Sequence, residues 1–484
     1  MIEPFLPWIP GAHRCGRTGW ARALALGLLL GALAGAAGCG GEWPSRAASK
    51  ILERYRKTSR AKPLPAGGMI RIRLTPGIGR DEPSGNAEVL WQSGRYRESV
   101  VSAGLATARG IEWGRGYFTD EDGVTRVASE PILRELLTRS YFWRRAWLFE
   151  DLEKTEAYLG PEDERTVSVR LTPGGGNPLV LVFSRRDGSL ASVRSPRFHL
   201  DFSSPAKFRD LSDPAHPVAG EIAWTGLPTG PLPFPIVGGG QARLPEPAAS
   251  IPFERRAGTL IVPARLSGRA IRLAIDAAAD GPLRLSPGLA SKLPLRFTAD
   301  VFGRKIAPGA SLEIGSAVYP SLFVQICEDV PSGADAEAGG CLFREAVVEI
   351  DWRAGRLGLH DPERWVAPSG YFRMVTDDDG NRPVAVLKRG RRELRLTEGS
   401  DTGEAALLFA AESAARVGLE EAAAATDLTW GPVSLAPLPF ETARDGFSPD
   451  WGDDGRLGFA LLARFHVFID MPHRWTYVRP ADTP

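Results

Sequence analysis

Two aspartates in similar sequence surroundings are the residues whose types and spacing could do chemistry. The segment Asp401-Thr402-Gly403-Glu404 follows Asp276-Ala277-Ala278-Ala279 at a distance of 401 − 276 = 125 positions. Two carboxyl groups held about 3 Å apart cannot both ionise, so they share one proton. The ionised carboxyl can then activate a water molecule while the protonated one polarises a carbonyl group. The pair therefore predicts general acid-base hydrolysis, provided that the fold brings the two loops together.

The elements that must position these aspartates form two blocks that are alike. Each block begins with a β-hairpin pattern leading to its Asp, over residues 258–276 and 382–401. Each block ends on an apolar strand that reaches a second acid, Asp351 or Asp470, which we expect to cap a turn rather than to catalyse. The two spacings are similar, since 351 − 276 = 75 and 470 − 401 = 69. Such self-similarity indicates an internal duplication.

The ordered features of each block resemble one lobe of the retropepsin-like aspartic proteases, and two lobes in one chain are similar to pepsin-type monomers. Asp401-Thr402-Gly403 matches the active-site triplet of that family, and Leu457-Gly458-Phe459 matches its later apolar-glycine turn. The resemblance covers residues 251 to 480. It implies lobes at 251–368 and 369–484, catalytic Asp276 and Asp401, loop support from Thr402 and Gly403, a peptide or protein substrate, and no cofactor.

Both blocks depart from the family pattern. Ala277 lacks the hydroxyl of the usual Thr, and Ala278 adds a methyl group where a Gly would let the loops touch. In the second block Glu398-Gly399-Ser400 replaces an apolar approach, and Glu404 adds a carboxylate that would raise the pKa of the pair. Two alternatives to an active endopeptidase therefore stay open. One is a catalytically dead protein that binds extended peptides in the same cleft. The other is an envelope protein that acts through its N-terminal half.

That N-terminal half, residues 48–225, predicts a mainly β domain with helices. Alternating apolar residues predict strands between residues 69 and 128 and between 166 and 202, while helical periodicity covers Ala48–Ser59 and Glu130–Leu159. The order predicts a curved antiparallel sheet, a half-barrel, with helices on one face. It resembles periplasmic lipoprotein carriers and outer-membrane lipoprotein receptors in its Trp91 strand, its Trp113…Asp120-x-x-Gly123 hairpin and its Pro173-Gly-Gly-Gly turn. The resemblance implies a concave face for lipid, lipoprotein or peptide, and the alternative is a domain that acts as a spacer or presents substrate to the lobes.

The N-terminal residues predict a targeting signal rather than a folded element. Arg14, Arg17 and Arg22 precede the apolar run Ala23–Ala34, which is short for a membrane span. The following Ala36-Ala37-Gly38-Cys39 resembles a bacterial lipobox. This implies a signal peptide at 1–38, lipidation of Cys39, a tether at 39–47 and the outer membrane of a Gram-negative cell envelope, because Gly40 rather than Asp follows. An ordinary cleaved signal is the alternative.

The composition of the chain argues against nucleic-acid binding and against metal binding. A formal net charge of +1 provides no field for nucleic acid, and no metal-binding spacing is present, so we expect a protein that uses neither. The resemblance to two-lobed, pepsin-type proteins implies a monomer. The Pro- and Gly-rich residues 226–250 predict a linker between the sheet domain and the blocks. Cys327 and Cys341 predict either a disulfide, worth about 3 kcal/mol for a loop of that length, or two separate thiols.

Overall fold

The computed structural model describes residues 46–60, 62, 64–76, 85–149, 156–212, 217–226, 242–256, 259–279, 281–378, 382–400, 405–419, 424–435, 437–443 and 454–481. The predicted signal peptide, Cys39 and most of the predicted linker lie outside these residues. Residues from Arg46 onward form one compact unit. In the described ranges, no helix has the length and apolar character needed to cross a membrane.

The N-terminal domain is a single antiparallel sheet with helices against it. Its strands β1 to β13 are Gly68–Pro76, Gly85–Gln92, Arg95–Ser102, Leu105–Glu112, Arg115–Thr119, Thr125–Val127, Glu156–Glu162, Thr166–Thr172, Leu179–Ser184, Leu190–Ser195, Phe198–Ser204, Lys207–Asp210 and Val218–Gly226. Its helices α1 to α3 are Arg46–Ser59, Glu130–Trp143 and Ala146–Phe149. Every neighbouring pair is a hairpin except β1 with β13, which joins the two halves of the sheet, and the order is β6-β5-β4-β3-β2-β1-β13-β12-β11-β10-β9-β8-β7.

Aromatic side chains fill the space between the helices and the sheet. The Phe142 and Trp147 rings stack with centroids 6.5 Å apart, and Tyr55 of α1 lies 5.4 Å from Trp147. Phe142 also meets Phe198 of β11 edge to face. The alternating burial along β2, in which Val89 and Trp91 are buried, follows from the two-residue period of a strand with one face on a core.

The first lobe contains strands β14 to β24 and two single-turn helices. The strands are Ala249–Pro252, Glu254–Arg256, Thr259–Leu266, Arg269–Ile275, Leu283–Leu285, Thr298–Ala299, Lys305–Ile314, Ala317–Ile326, Ala336–Ala338, Val347–Asp351 and Arg356–His360. The helices α4 and α5 are Pro287–Ala290 and Gly340–Phe343. Strand β17 pairs in parallel with β22, and β22 pairs antiparallel with β18. This crossing places the end of β17 against the chain that enters α5.

The second lobe repeats this topology. Its strands β25 to β34 are Phe372–Asp378, Pro383–Arg389, Arg392–Ser400, Leu407–Ala410, Leu428–Trp430, Val433–Ser434, Phe440–Ala443, Gly455–Gly458, Phe465–Asp470 and Trp475–Pro480, with helices α6 at Ala411–Val417 and α7 at Phe459–Leu462. Strand β27 pairs in parallel with β32, and β32 pairs antiparallel with β28, as in the first lobe. The expected mainly β fold with a sheet domain and two duplicated blocks is confirmed.

The terminal strands of the two lobes share one sheet. Strand β23 of the first lobe pairs antiparallel with β33 of the second, with Val348 opposite Ile469. On this sheet the Glu349 carboxylate lies 2.8 Å from His360 Nε2 and 2.7 Å from His466 Nε2. Burial disfavours the charge on Glu349, but the two histidines outweigh burial and hold its pKa at about 2. The lobes are therefore joined by backbone pairing and by a carboxylate held from both sides.

Two local expectations are wrong. The predicted strand from Ile111 to Tyr117 is a hairpin, because Trp113 and Gly114 adopt φ of 49° and 85° and turn the chain between β4 and β5. The predicted helix Glu130–Leu159 ends at Trp143, with one further turn at α3, and Glu156–Glu162 is strand β7. In this last segment strand pairing with β8 prevails over a helical apolar period.

Candidate functional site

The loop that bears Asp276 leaves the end of β17 and turns at once. The Asp276 Oδ1 atom accepts a hydrogen bond from the Ala278 backbone N–H at 2.8 Å, and the Asp276 N–H donates to the Ala338 carbonyl at 3.0 Å. The Ala279 N–H closes the turn on the Asp276 carbonyl at 3.0 Å. The carboxyl group is half-buried, and its orientation is set by the turn that follows it.

Gly339 makes this close packing feasible. A Cβ atom added there would lie 2.1 Å from the Ala279 carbonyl oxygen and 2.5 Å from the Asp276 carbonyl oxygen, which no side chain can occupy. The next residue, Gly340, donates its N–H to the Ala279 carbonyl at 3.0 Å and begins α5. The α5 N-terminus and the Asp276 loop are thus one rigid unit.

The two lobes meet at this loop. The Ala277 N–H donates to the Gly399 carbonyl at 3.1 Å, and both residues are buried. A Cβ added to Gly399 would come to 3.3 Å from both Ala277 Cβ and the Phe459 ring. Ala277 therefore fills a tight space between the lobes through its backbone and its methyl group.

Matching hydrogen bonds align the two lobes residue by residue. The Arg272 N–H donates to Asp335 Oδ2 at 2.9 Å, and the Arg395 N–H donates to Asp454 Oδ2 at 2.8 Å. Asp335 and Asp454 each return a backbone N–H to the same arginine carbonyl. Because these bonds are equivalent, Arg395 is the counterpart of Arg272, and Glu398 is the counterpart of Ile275. The register then shifts at a β-bulge that contains Gly399, so that Ser400 lies opposite Gly458.

The connection after this point is longer in the second lobe. Leu285 faces Ala336 in β22, and Phe409 faces Gly455 in β32, so Leu283 and Leu407 are counterparts. Asp276 precedes Leu283 by 283 − 276 = 7 residues, whereas Gly399 precedes Leu407 by 407 − 399 = 8. The extra residue is the β-bulge at Gly399, so Ser400, which precedes Leu407 by 407 − 400 = 7 residues, is the positional counterpart of Asp276. Asp401, Thr402, Gly403 and Glu404 lie in this connection and outside the described residues.

Glu398 lies immediately before the inter-lobe contact and is fully buried. Thr476 Oγ1 donates to its Oε2 atom at 2.8 Å, Thr376 Oγ1 contacts its Oε1 atom at 3.3 Å, and the two hydroxyls are 2.7 Å apart. In the described part of the chain, no Lys, Arg or His forms an ion pair with it. Burial raises the pKa of Glu398 to about 7, although the two threonine hydroxyls lower it. Its counterpart in the first lobe is Ile275, an apolar residue.

The other predicted site residues have simpler roles. Asp351 and Asp470 cap turns as expected, accepting N–H groups from Ala354 at 2.9 Å and His473 at 3.2 Å. Cys327 and Cys341 are free thiols, so the disulfide is not formed. Cys327 follows β21 beside Leu285, whereas Cys341 is buried at the start of α5, and burial raises the pKa of its thiol to about 11.

Sequence reasoning missed several residues that build the site. Gly339, Asp335 and Asp454 belong to no recognisable catalytic motif. However, Asp335 lies four residues before Gly339, and Asp454 lies four residues before Gly458. These two glycines precede the equivalent helices α5 and α7. That common spacing could have aligned the lobes. No group of three His, Cys, Asp or Glu side chains suited to a metal ion occurs among the described residues.

Comparison with known proteins gives partial likenesses only. No protein-family profile matches the chain, and no curated protein matches it. An aspartic proteinase from Irpex lacteus covers 49% of this chain and 98% of its own at 11% identity, with a TM-score of 0.34. A putative outer membrane lipoprotein-sorting protein domain from Vibrio parahaemolyticus covers 38% and 95% at 10% identity, with a TM-score of 0.25. A retropepsin-like aspartic protease from Rickettsia conorii covers 25% and 92% at 20% identity, with a TM-score of 0.18. TM-scores this low support no argument about function.

Proposed function

We propose that the duplicated half is an aspartic-type endopeptidase in which Asp276 and Asp401 form the catalytic pair. The supporting observation is the 3.1 Å hydrogen bond from the Ala277 N–H to the Gly399 carbonyl. It brings the loop after Asp276 to a residue only two positions before Asp401. Two residues span at most about 7 Å, so the Asp401 loop can turn back to bring both carboxyls to one water molecule.

The reaction would need nothing beyond these two groups and water. The ionised carboxyl takes a proton from water as the water oxygen attacks the carbonyl carbon of the peptide bond. The protonated carboxyl donates its proton to the carbonyl oxygen. The C–N bond then breaks as the leaving nitrogen takes a proton from one carboxyl, while a hydroxyl of the tetrahedral intermediate returns its proton to the other carboxyl, so that the products are a carboxylic acid and an amine and the pair again holds one proton. The Ala278 N–H that binds Asp276 Oδ1 keeps that carboxyl in place throughout.

Cleavage of a mixed library of unstructured peptides tests this assignment. Asp276→Asn and Asp401→Asn should each abolish cleavage, because either change removes half of the shared-proton pair. Asp351→Asn is the matched control, since that acid of the same lobe only caps a turn at Ala354. Persistent cleavage in either of the first two variants would exclude the pair.

The lobe alignment favours a second candidate, a protein that binds extended peptides between the lobes without cleaving them. With the β-bulge at Gly399, the strand register matches Asp276 with Ser400 rather than with Asp401, and Ala277 replaces a hydroxyl with a methyl. Peptide binding would then be measurable without products, and Asp401→Asn would leave the affinity unchanged. Binding that disappears in Asp401→Asn would argue against this candidate.

For either activity we propose a cell-envelope location. The support is the sequence alone, in which Cys39 follows small residues at the end of an apolar run. Incorporation of a labelled fatty acid that is lost in Cys39→Ser would test the anchor. We also propose that the protein acts as a monomer, which light scattering of the purified chain would check.

A further inference from the structure

A cavity of about 580 Å³ opens on the concave face of the N-terminal sheet. Helix α2 covers one side, and the hairpin between β19 and β20 of the first lobe covers another. Its apolar wall consists of Val100, Leu105, Phe118, Ile132, Leu136 and Val218. Buried charged groups, among them Glu98, Glu135 and Arg139, line the rest. The cavity is therefore amphipathic and belongs to neither proposed active-site loop.

The tip of that hairpin already occupies part of the domain. Val301 is fully buried and belongs to the hydrophobic core of the N-terminal sheet rather than to that of its own lobe. Its N–H donates to Ser102 Oγ at 2.9 Å. A Cβ added to Gly85 would lie 2.4 Å from Val301 Cγ1, so the glycine leaves just enough room for the valine. The sheet thus has a socket for one apolar side chain and its backbone N–H.

The inserted tip is a preformed turn. The Asp300 Oδ1 atom accepts the N–H groups of Phe302 and Arg304 at 2.9 Å each, and Asp300 Oδ2 lies 2.7 Å from Arg304 Nε. Phe302 stays 37% exposed and lines the cavity beside the socket. What the sheet binds here is therefore a short polypeptide turn with apolar side chains.

One buried carboxylate of the cavity, that of Glu135, favours a ligand that donates hydrogen bonds. Arg139 Nε lies 2.8 and 2.9 Å from the two oxygens of Glu98, and Arg109 Nε lies 2.8 Å from one of them, so this carboxylate is fully paired. Glu135 is different. Its Oε1 atom has no hydrogen-bond donor among the described residues, and the nearest cation, Arg139 Nη1, is 3.9 Å away. Polypeptide N–H groups are donors, whereas the carboxylate of a fatty acid is an acceptor.

We propose that this cavity is a binding site for an apolar polypeptide segment, for which the Asp300–Gly303 tip competes in cis. A tethered tip has an effective concentration in the millimolar range, so it suppresses binding of a free segment. A segment that displaces Val301 would release the β19–β20 hairpin from the sheet. The site is separate from Asp276 and holds whether or not the lobes cleave peptides.

Fluorescence anisotropy on the full-length chain in detergent micelles tests the proposal. The probe is a fluorescein-labelled synthetic peptide that copies residues 296–307 (RFTADVFGRKIA). Val301→Ser weakens the cis tip by removing its buried methyl groups, and the peptide should then bind at least tenfold more tightly than to the wild-type chain. Val366→Ser is the matched control, because that valine is 82% exposed, and it should bind like wild type.

Adding Ser102→Ala to Val301→Ser should lower peptide affinity again, since it removes the acceptor for the incoming N–H, and thermal melting would check that each variant folds. A dansyl-labelled undecanoate probe forms the comparison arm. The proposal is overturned if folded Val301→Ser binds the peptide no better than Val366→Ser does. It is equally overturned if the acyl probe binds and the peptide does not.

Discussion

Replacing Glu398 with Gln gives the sharpest test of how the second lobe is built. Glu398 is a fully buried carboxyl that contacts only the Thr376 and Thr476 hydroxyls among its described side-chain partners. Burial raises its pKa from 4.5 to about 7. The protonated acid is isosteric with Gln, which is neutral at every pH and can still exchange hydrogen bonds with both threonines.

The sign of the effect follows from proton binding in the two states. Below pH 4.5 the carboxyl is protonated whether the chain is folded or unfolded, so Glu398 does not make the free energy of unfolding depend on pH there. Between pH 4.5 and about 7 only the unfolded chain releases the proton, so the free energy of unfolding falls as pH rises. Above pH 7 the loss is complete. A pKa raised from 4.5 to about 7 corresponds to roughly 3 kcal/mol.

Urea unfolding at pH 4.5, 6 and 8 would measure this effect. We expect the free energy of unfolding of Glu398→Gln, minus that of wild type, to increase by roughly 3 kcal/mol from pH 4.5 to pH 8. Glu98→Gln is a matched control, because Arg139 and Arg109 hold the pKa of Glu98 at about 2 against the effect of its burial. That carboxyl is ionised in both states above pH 5, so Glu98→Gln should destabilise the protein by the same amount at pH 6 and pH 8.

A difference between Glu398→Gln and wild type that is constant with pH would refute the reasoning. It would mean that Glu398 ionises equally well in the folded and unfolded chain. If the free energy of unfolding of Glu398→Gln minus that of wild type decreased as pH rises, the evidence against the reasoning would be stronger. Such a decrease would require a cation near Glu398 in the folded state.

Two further predictions concern contacts around the Asp276 loop. Arg344 is buried between the first lobe and Asp120 and Asp122 of the sheet domain, so Arg344→Met should cost about 3–5 kcal/mol in urea unfolding, partly recovered by adding Asp122→Asn. A loss below about 1 kcal/mol would contradict this, as would no recovery in the double variant. Gly339→Ala places a Cβ 2.1 Å from the Ala279 oxygen and should destabilise the protein by about 1–3 kcal/mol or more. Gly288→Ala, with no atom within 4 Å of the added Cβ, should be neutral or stabilising, and equal effects of the two alanines would be inconsistent with the packing described.

The duplicated architecture could be predicted from sequence because apolar periodicity and turn residues recur in both blocks. The structure has the two predicted hairpins, which lead to Ile275 and Glu398. It also has the predicted terminal segments, in which a short helix and a strand follow Gly339 and Gly458. The pairing of Asp276 with Asp401 is a prediction from the Asp-Thr-Gly triplet, the repeated hairpins and the similar spacings to Asp351 and Asp470, and Asp401 lies outside the described residues. The strand register matches Asp276 with Ser400 instead, a relation that depends on the β-bulge at Gly399 and on the pairing of β27 with β32.

Other features could not be read from the chain for physical reasons. A carboxylate in a strand normally indicates an exposed face, so Glu398 gave no sign that two threonines distant in sequence would bury it. Val301 lies in a polar turn whose apolar residue is explained only by the socket beside Ser102. Trp113 and Tyr117 keep the alternation of a strand, and only the left-handed conformation at Trp113 and Gly114 divides it.

The pairing of β1 with β13 has a consequence for the time course of folding. Met69 lies opposite Gly226, a sequence separation of 226 − 69 = 157 residues, and among the described strands β1 has β2 as its only other partner. The sheet therefore cannot be completed until the chain has emerged past residue 226. Closing such a large loop is slow, because the chain loses conformational entropy before the β1–β13 contacts can form, and folding rates fall as the sequence separation of contacting residues grows. Until then the hydrogen-bonding edge of β1 is open to pairing with other polypeptides.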